Sequence, residues 1–254
     1  MSVLEVERDG HVVTLTLNRP DAGNALDREL LGALSDAVAG LAADASVRAV
    51  IVTGAGGKVF CAGADLKERA TMSEAEVLAT VTKIRETIDA VARLPMPTIA
   101  AINGHALGGG LELALACDIR VLAPLARVGL PETTLAIIPG GGGTARLVRL
   151  LGTGRAKELI FTGRRVDAKE AESIALVESI GSLDDAREIA AKIAANGPLA
   201  VRAAKRVLAE SHELALADAL ALETRAYETL IGTRDRLEGL AAFKEKRAPD
   251  YRGE

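Results

Sequence analysis

Hydrophobic positions change period several times along the chain, and each change predicts an element. Residues 3–8 and 11–17 are rich in β-branched side chains and are separated by Asp9-Gly10, a pair that tolerates positive φ; they predict an opening β-hairpin. Leu26, Leu30, Leu34, Val38 and Leu41 then recur at spacings of three and four, which predicts an amphipathic helix over 25–42 with Asn24 or Asp27 as its cap. A β-branched run over 47–53 enters Gly54-Ala55-Gly56-Gly57, a helical pattern over 73–94 is stopped by Pro95-Met96-Pro97, and an apolar run over 98–103 leaves into Gly104. Strand, helix and strand at this spacing predict a parallel βαβ unit. The loops after Thr53 and Asn103 then emerge side by side at the carboxyl edge of the sheet, where α/β proteins usually place ligands.

Further on, the pattern predicts helices over 144–151, 154–161, 168–174, 184–196, 199–211 and 213–231, with short strands at 119–123 and 177–180. Nothing after Gly197-Pro198 reads as strand. The expected organisation is an α/β core over 1–196 followed by a helical region over 197–254, with no internal repeat of fixed period.

Composition narrows the function classes. The chain has 254 residues, 49% hydrophobic and 26% charged, enough to bury a substantial core. Its 31 Lys and Arg against 35 Asp and Glu give a formal net charge of −4, so no general attraction to nucleic acid is expected. No apolar stretch approaches the roughly 20 residues of a membrane-spanning helix. Glu5, Glu7 and Arg8 interrupt the region where a secretory signal would be apolar, so a cytoplasmic protein with no membrane partner is expected. Cys61 and Cys117 form no CxxC pair, and His11, His105 and His212 show no metal-ligand spacing; two buried thiols and no metal are expected.

Two small-residue segments carry the candidate chemistry. In Asn103–Asp118 a strand runs into glycines that open a helix, whose first amides lack intrahelical acceptors. Phe60–Leu66 makes a similar approach at the end of the neighbouring strand's loop. One amide from each, at Ala62 and Gly109, would make an oxyanion hole able to stabilise an enolate or a tetrahedral intermediate. Glu112 follows Gly109 by three residues, in the apolar company of Leu111, Leu113, Leu115 and Cys117. A first-turn glutamate commonly complements the helix dipole, but a carboxylate in such surroundings needs a further reason to be there. Glu132 precedes another mainly apolar stretch that ends in Gly140-Gly141-Gly142-Gly143; alone it would also serve as a cap. Two carboxylates beside an oxyanion hole suit general acid–base work, because burial and repulsion separate their proton affinities. Neither Gly140–Gly143 nor Gly54–Lys58 has the spacing of a phosphate-binding loop. His105, near the site in sequence, is read as structural.

In their order and spacing, Phe60–Leu66, Asn103–Asp118 and Leu130–Thr144 resemble the enoyl-CoA hydratase/isomerase (crotonase) family over nearly the whole chain. Residues 135–144 and the tail 233–254 look most like its 3-methylglutaconyl-CoA hydratase branch. The resemblance implies a spiral of ββα repeats with a C-terminal helical trimerisation region, as a homotrimer or dimer of trimers. It implies that Ala62 and Gly109 bind the thioester oxygen of an acyl-CoA, that Glu112 activates water and that Glu132 protonates Cα. Asn24, Ala25, Gly63, Ala64, Asp65, Leu66, Gly108, Pro131 and Gly140 then match positions around the CoA and acyl groove. Phe243 and Lys246 match a tail that reaches CoA, often from a neighbouring subunit. CoA is part of the substrate, so no separate cofactor is implied. Having glutamate at both positions favours an enoyl-CoA hydratase; alternatives are hydration specific to 3-methylglutaconyl-CoA and enoyl-CoA delta-isomerisation. RNA binding, found in relatives with a lysine-rich helix, is disfavoured because residues 26–42 contain Arg28 and no lysine.

Overall fold

The computed structural model describes residues 2–254. Strands β1 (Leu4–Asp9) and β2 (Val12–Leu17) form the expected antiparallel hairpin, with Gly10 at φ 55° in its turn. Helix α1 (Arg28–Ala43) is capped by Asp27, whose carboxylate accepts from Leu30 N at 2.8 Å. It buries Leu30, Leu31, Leu34, Val38 and Leu41. β3 (Ala49–Gly54) is buried on both faces, as a central parallel strand requires. β4 (Val59–Cys61) and the short α2 (Leu66–Arg69) lead to α3 (Glu74–Ala92), which opens with a Ser73/Glu76 capping box.

The pattern then recurs. β5 (Thr98–Ile102) and β6 (His105–Leu107) precede α4 (Gly109–Ala116); β7 (Ile119–Leu122) and β8 (Arg127–Gly129) precede a 3-10 turn (Pro131–Leu135) and α5 (Gly143–Thr162). β9 (Val166–Asp167), α6 (Ala168–Ser173), β10 (Ser179–Ile180) and α7 (Leu183–Ala194) complete the core, and α8 (Pro198–Ser211), α9 (Leu216–Ile231) and α10 (Arg234–Glu245) follow. From β3 to β8 the strands alternate between two sheets: a six-stranded one in the order β1-β2-β3-β5-β7-β10 and a four-stranded one in the order β4-β6-β8-β9. Each strand pair followed by helix is one ββα turn of the expected spiral, with β3, β5 and β7 parallel in the larger sheet.

The larger sheet is apolar on both faces. Val50 and Val52 point into the main core with Leu30, Leu34 and Ile88; Ala49 and Ile51 point the other way, under Ala186 and Ala190 of α7. Burying one such aliphatic side chain contributes about 1.5–3 kcal/mol. Among the described residues no helix is long and apolar enough to cross a membrane.

Three expectations need correction. The smaller sheet was not anticipated, because its strands have two or three residues and show no period. The helices expected over 144–151 and 154–161 are one kinked element, α5, broken in φ/ψ at Gly152 (φ 76°). α10 lies within the helical region expected over 197–254 but had no bounds of its own in the sequence, since its apolar residues Leu237, Leu240 and Phe243 are 60%, 57% and 86% exposed and trace no core-facing stripe.

Candidate active site

The loop after β4 and the start of α4 meet backbone to backbone. A Cβ on Gly63 (φ 96°) would lie 2.9 Å from Leu107 O and 3.0 Å from Gly109 N, and one on Gly110 would lie 2.1 Å from Cys61 O. Only glycine permits this approach. The Cβ position of Gly109 is 3.6 Å from Ala64 N, so the amides of Ala64 and Gly109 are neighbours.

This geometry corrects the first oxyanion donor. The Ala62 N–H already donates to Gly23 O at 3.0 Å and is spent. Leu26 N donates to Gly63 O at 2.8 Å and Asp65 N to Leu26 O at 3.1 Å, a parallel bridge. In an extended segment alternate amides face opposite ways, so the intervening Ala64 N–H turns from that strand, and it has no acceptor among the described residues. Gly109 N–H, first in α4, has no acceptor either. The two free amides are those of Ala64 and Gly109.

Glu112 lies one turn into α4 and is 2% exposed. Its Oε1 accepts from Gly143 N at 2.8 Å. The Cβ positions of Gly141 and Gly143 would fall 2.7 Å from its Oε2 and 3.0 Å from its Oε1, so the glycine run serves as a close wrap around this carboxylate. Arg146 Nη1 and Arg85 Nε brace that wrap by donating to Gly141 O at 3.0 Å and Gly140 O at 3.1 Å. Burial raises the proton affinity of Glu112; the Gly143 and Gly141 amides and the charges of Arg146 and Arg85 oppose it.

Glu132 sits on the 3-10 turn after Pro131, with its Oε1 against Gly108 (φ 52°), where a Cβ would lie 2.9 Å away. Its Oε2 is buried without a hydrogen-bond partner. Burial, opposed by its own backbone amide and reinforced by the charge of Glu112, pushes the Glu132 carboxyl up to about 7. An unpartnered buried carboxylate oxygen is costly, and such a group is suited to exchanging a proton with a ligand.

Both carboxylates and the two free amides line one cavity of about 330 Å³, whose remaining wall is largely apolar. Ala62, Gly63, Leu66, Gly108, Pro131 and Gly140 line it too.

A profile of the enoyl-CoA hydratase/isomerase family matches residues 7–254. The chain belongs to the enoyl-CoA hydratase/isomerase family. It is 50% identical over 259 residues to the mitochondrial methylglutaconyl-CoA hydratase of Mus musculus, covering 99% of this chain and 82% of the relative. The crystal structure of enoyl-CoA hydratase from Bacillus anthracis superposes with a TM-score of 0.98 at 54% identity, covering 99% of this chain and 100% of that one. That of Pseudomonas aeruginosa DspI gives a TM-score of 0.94 at 39% identity, covering 99% and 97%.

Several expected groove residues of this enoyl-CoA hydratase/isomerase stand outside the cavity lining. Asn24, fully buried at φ 53°, is occupied in tying its own loop to the β3–β4 segment: Oδ1 accepts from Arg19 N at 2.9 Å and Nδ2 donates to Ala55 O at 3.0 Å and Val59 O at 2.7 Å. Ala25 O accepts from Arg19 Nη1. Asp65 caps α2 through Lys67 N at 3.0 Å and Glu68 N at 3.2 Å and pairs with Arg19 at 3.1 Å. Phe243 lies on the exposed side of α10 and Lys246 ends that helix at φ 57°; neither lines the cavity within this chain. His105 Nδ1 accepts from Arg127 N at 3.0 Å, a structural contact. The Cys61 and Cys117 thiols are buried and pushed up to about 12 by desolvation, so neither is a nucleophile at neutral pH.

Sequence reasoning missed Arg69, Val81, Ile84 and Arg165, which also line the cavity. Val81, Ile84 and Ile88 do share one face of α3 at helical spacing, a signal that marks the helix in sequence without marking the cavity. The ion pairs of Arg19, to Asp27 at 2.8 Å and to Asp65, link residues far apart in sequence and leave no local pattern.

Proposed function

We propose that this enoyl-CoA hydratase/isomerase family member reversibly adds water across the 2,3 double bond of a 2-enoyl-CoA to give a 3-hydroxyacyl-CoA. The observation that carries the reading is buried Glu112 and half-buried Glu132 facing one cavity beside two unpartnered amides. The thioester oxygen accepts from Ala64 N–H and Gly109 N–H, which favour the enolate over the neutral ester. Glu112, its ionised form supported by Gly143 N–H, takes a proton from water as the water oxygen bonds to Cβ. The π electrons move to the thioester oxygen, and as the enolate collapses Cα takes a proton from Glu132. Proton exchange with solvent then resets the two carboxyls. Neither a metal nor a separate cofactor enters this scheme, since CoA is part of the substrate.

The same reading assigns the exposed apolar residues of α9 and α10, among them Leu216, Tyr227, Leu240 and Phe243, to contacts between copies in a homotrimer or dimer of trimers. Phe243 and Lys246 would reach CoA from there. A second reading, hydration specific to 3-methylglutaconyl-CoA, draws on the 50% identity to the mouse enzyme. Loss of the conjugated-thioester absorbance across crotonyl-, longer enoyl-, 3-methylcrotonyl- and 3-methylglutaconyl-CoA separates the two: a general hydratase consumes several esters, a branch-specific one chiefly the last. Inactivity on every ester would refute both.

A further inference from the structure

The two glutamates are fastened to opposite ends of one helix. Glu112 accepts at 2.8 Å from the N–H of Gly143, the first residue of α5. Glu132 has no comparable bond: its Oε2 is unpartnered, and the 3-10 turn that carries it starts without a side-chain cap. Among the described residues, a single hydrogen bond ties that turn to another element. It runs from the hydroxyl of Thr133, next in sequence to Glu132, to Ile160 O in the last turn of α5, at 2.7 Å. The last four carbonyls of a helix have no intrahelical donor, and Ile160 is buried, so the Thr133 hydroxyl also satisfies an acceptor that would otherwise stand without a partner.

Straight, α5 would hold Gly143 and Ile160 about 25 Å apart. It is bent at Gly152, whose φ of 76° and ψ of 163° are open essentially only to glycine. The bend brings both ends back to walls of the one cavity that Glu112 and Glu132 line. Each end is closely seated. A Cβ on Gly163 (φ 61°), which closes α5, would lie 2.7 Å from Thr134 Cγ2 and 3.5 Å from Pro131 Cα; one on Gly143 would lie 3.0 Å from Glu112 Cγ. A Cβ on Gly152 meets nothing within 4 Å, so a substitution there acts through the backbone angle alone.

We propose that α5, bent at Gly152, is a clamp that sets the placement of Glu132 relative to Glu112, and that Thr133 is the positioning residue tying Glu132 to it. Thr133 itself is absent from the cavity wall, where Glu132 and Thr134 stand on either side of it in sequence. The roles of the two carboxylates rest on the hydratase reading above. Without the hydroxyl the turn is free to shift, and a displacement of about 1 Å at a catalytic group slows the chemical step far more than it weakens binding.

The test measures kcat and KM for crotonyl-CoA in the wild type, Thr133→Val, Thr133→Ser and Gly152→Ala. Thr133→Val, which keeps the side-chain shape and removes the donor, should lower kcat about 10- to 100-fold with KM within a few-fold. Thr133→Ser should restore kcat to within about threefold, because the hydroxyl and not the methyl makes the bond. Gly152→Ala should show the same split at about tenfold. A Thr133→Val variant that melts earlier but keeps the wild-type kcat has lost stability alone and overturns the proposal, as does a loss that Thr133→Ser does not restore. A folded Gly152→Ala with the wild-type kcat overturns the clamp; should that variant not fold, the Thr133 pair decides. If the wild type hydrates no ester, the hydratase reading fails on its own, and the clamp is judged by crystal structures of the wild type, Thr133→Val and Thr133→Ser. A Glu132 carboxylate displaced by about 1 Å or more in Thr133→Val and returned in Thr133→Ser supports it; an unmoved carboxylate overturns it.

Discussion

Glu112 and Glu132 share one cavity but are held in opposite ways. Glu112 is gripped: α4 carries it, Gly143 N–H binds one oxygen, and Gly140–Gly143, braced by Arg85 and Arg146, closes around it. Glu132 stands on a 3-10 turn with one oxygen pressed toward Gly108 and the other buried without a partner. The difference teaches how two identical side chains become a base and an acid. Burial raises the proton affinity of both, but at Glu112 amide donors and nearby arginines oppose it, whereas at Glu132 the charge of its neighbour adds to it.

The largest expected effect comes from removing either side of that contrast. Glu112→Gln and Glu132→Gln should each lower kcat for hydration by about 10²–10⁴-fold, the usual worth of a positioned general acid or base. Circular dichroism and CoA-ester binding should change little; near-normal turnover in both variants breaks the assignment. Next is the grip itself. Gly141→Ala places a methyl 2.7 Å from Glu112 Oε2 and 2.8 Å from Ile88 Cδ1, and should cost about 10–100-fold in kcat while leaving KM within a few-fold, because misplacing a catalytic group mainly affects the chemical step. Arg146→Met, which frees Gly141 O and breaks the pair with Asp89, should be milder, about tenfold.

The pH dependence sharpens the same comparison. With Glu132 pushed up to about 7, its protonated form is depleted as pH rises through that value, so hydration should fall on the alkaline side and dehydration should not share that limb. The smallest effect is on stability. Raising this carboxyl in the folded state means that the folded protein keeps a proton the unfolded chain has released, so stability drops as pH rises from the ordinary carboxylate value toward about 7. Glu132→Gln should therefore be more stable than the wild type at pH 8, by on the order of 1 kcal/mol after allowance for solvent, and nearly equal to it at pH 4. Urea melts at the two pH values measure this.

The residues that bear side-chain chemistry were more legible in the sequence than those that bear backbone chemistry. Glu112 and Glu132 announced themselves as carboxylates in apolar runs, and the large sheet's strands were long enough to show their pattern. Which amide points into the cavity depends on the bridge between Leu26 and Ala64, a contact between segments far apart in sequence, so Ala62 was chosen where Ala64 is free. Asn24 was read as a helix cap or groove residue, but its amide group satisfies three backbone groups of its own neighbourhood. Arg69 carried no signal at all, because an arginine beside Glu68 on a short polar helix looks like solvated surface until the cavity is seen.

The most direct test of the central claim is crotonyl-CoA hydration in deuterated water, following deuterium at C2 of the product by mass spectrometry for the wild type and Glu132→Gln. The wild type should give 3-hydroxybutyryl-CoA with one solvent deuterium at C2, and the variant should form it at least about 10²-fold more slowly. Formation of the same product by Glu132→Gln at the wild-type rate would contradict that expectation.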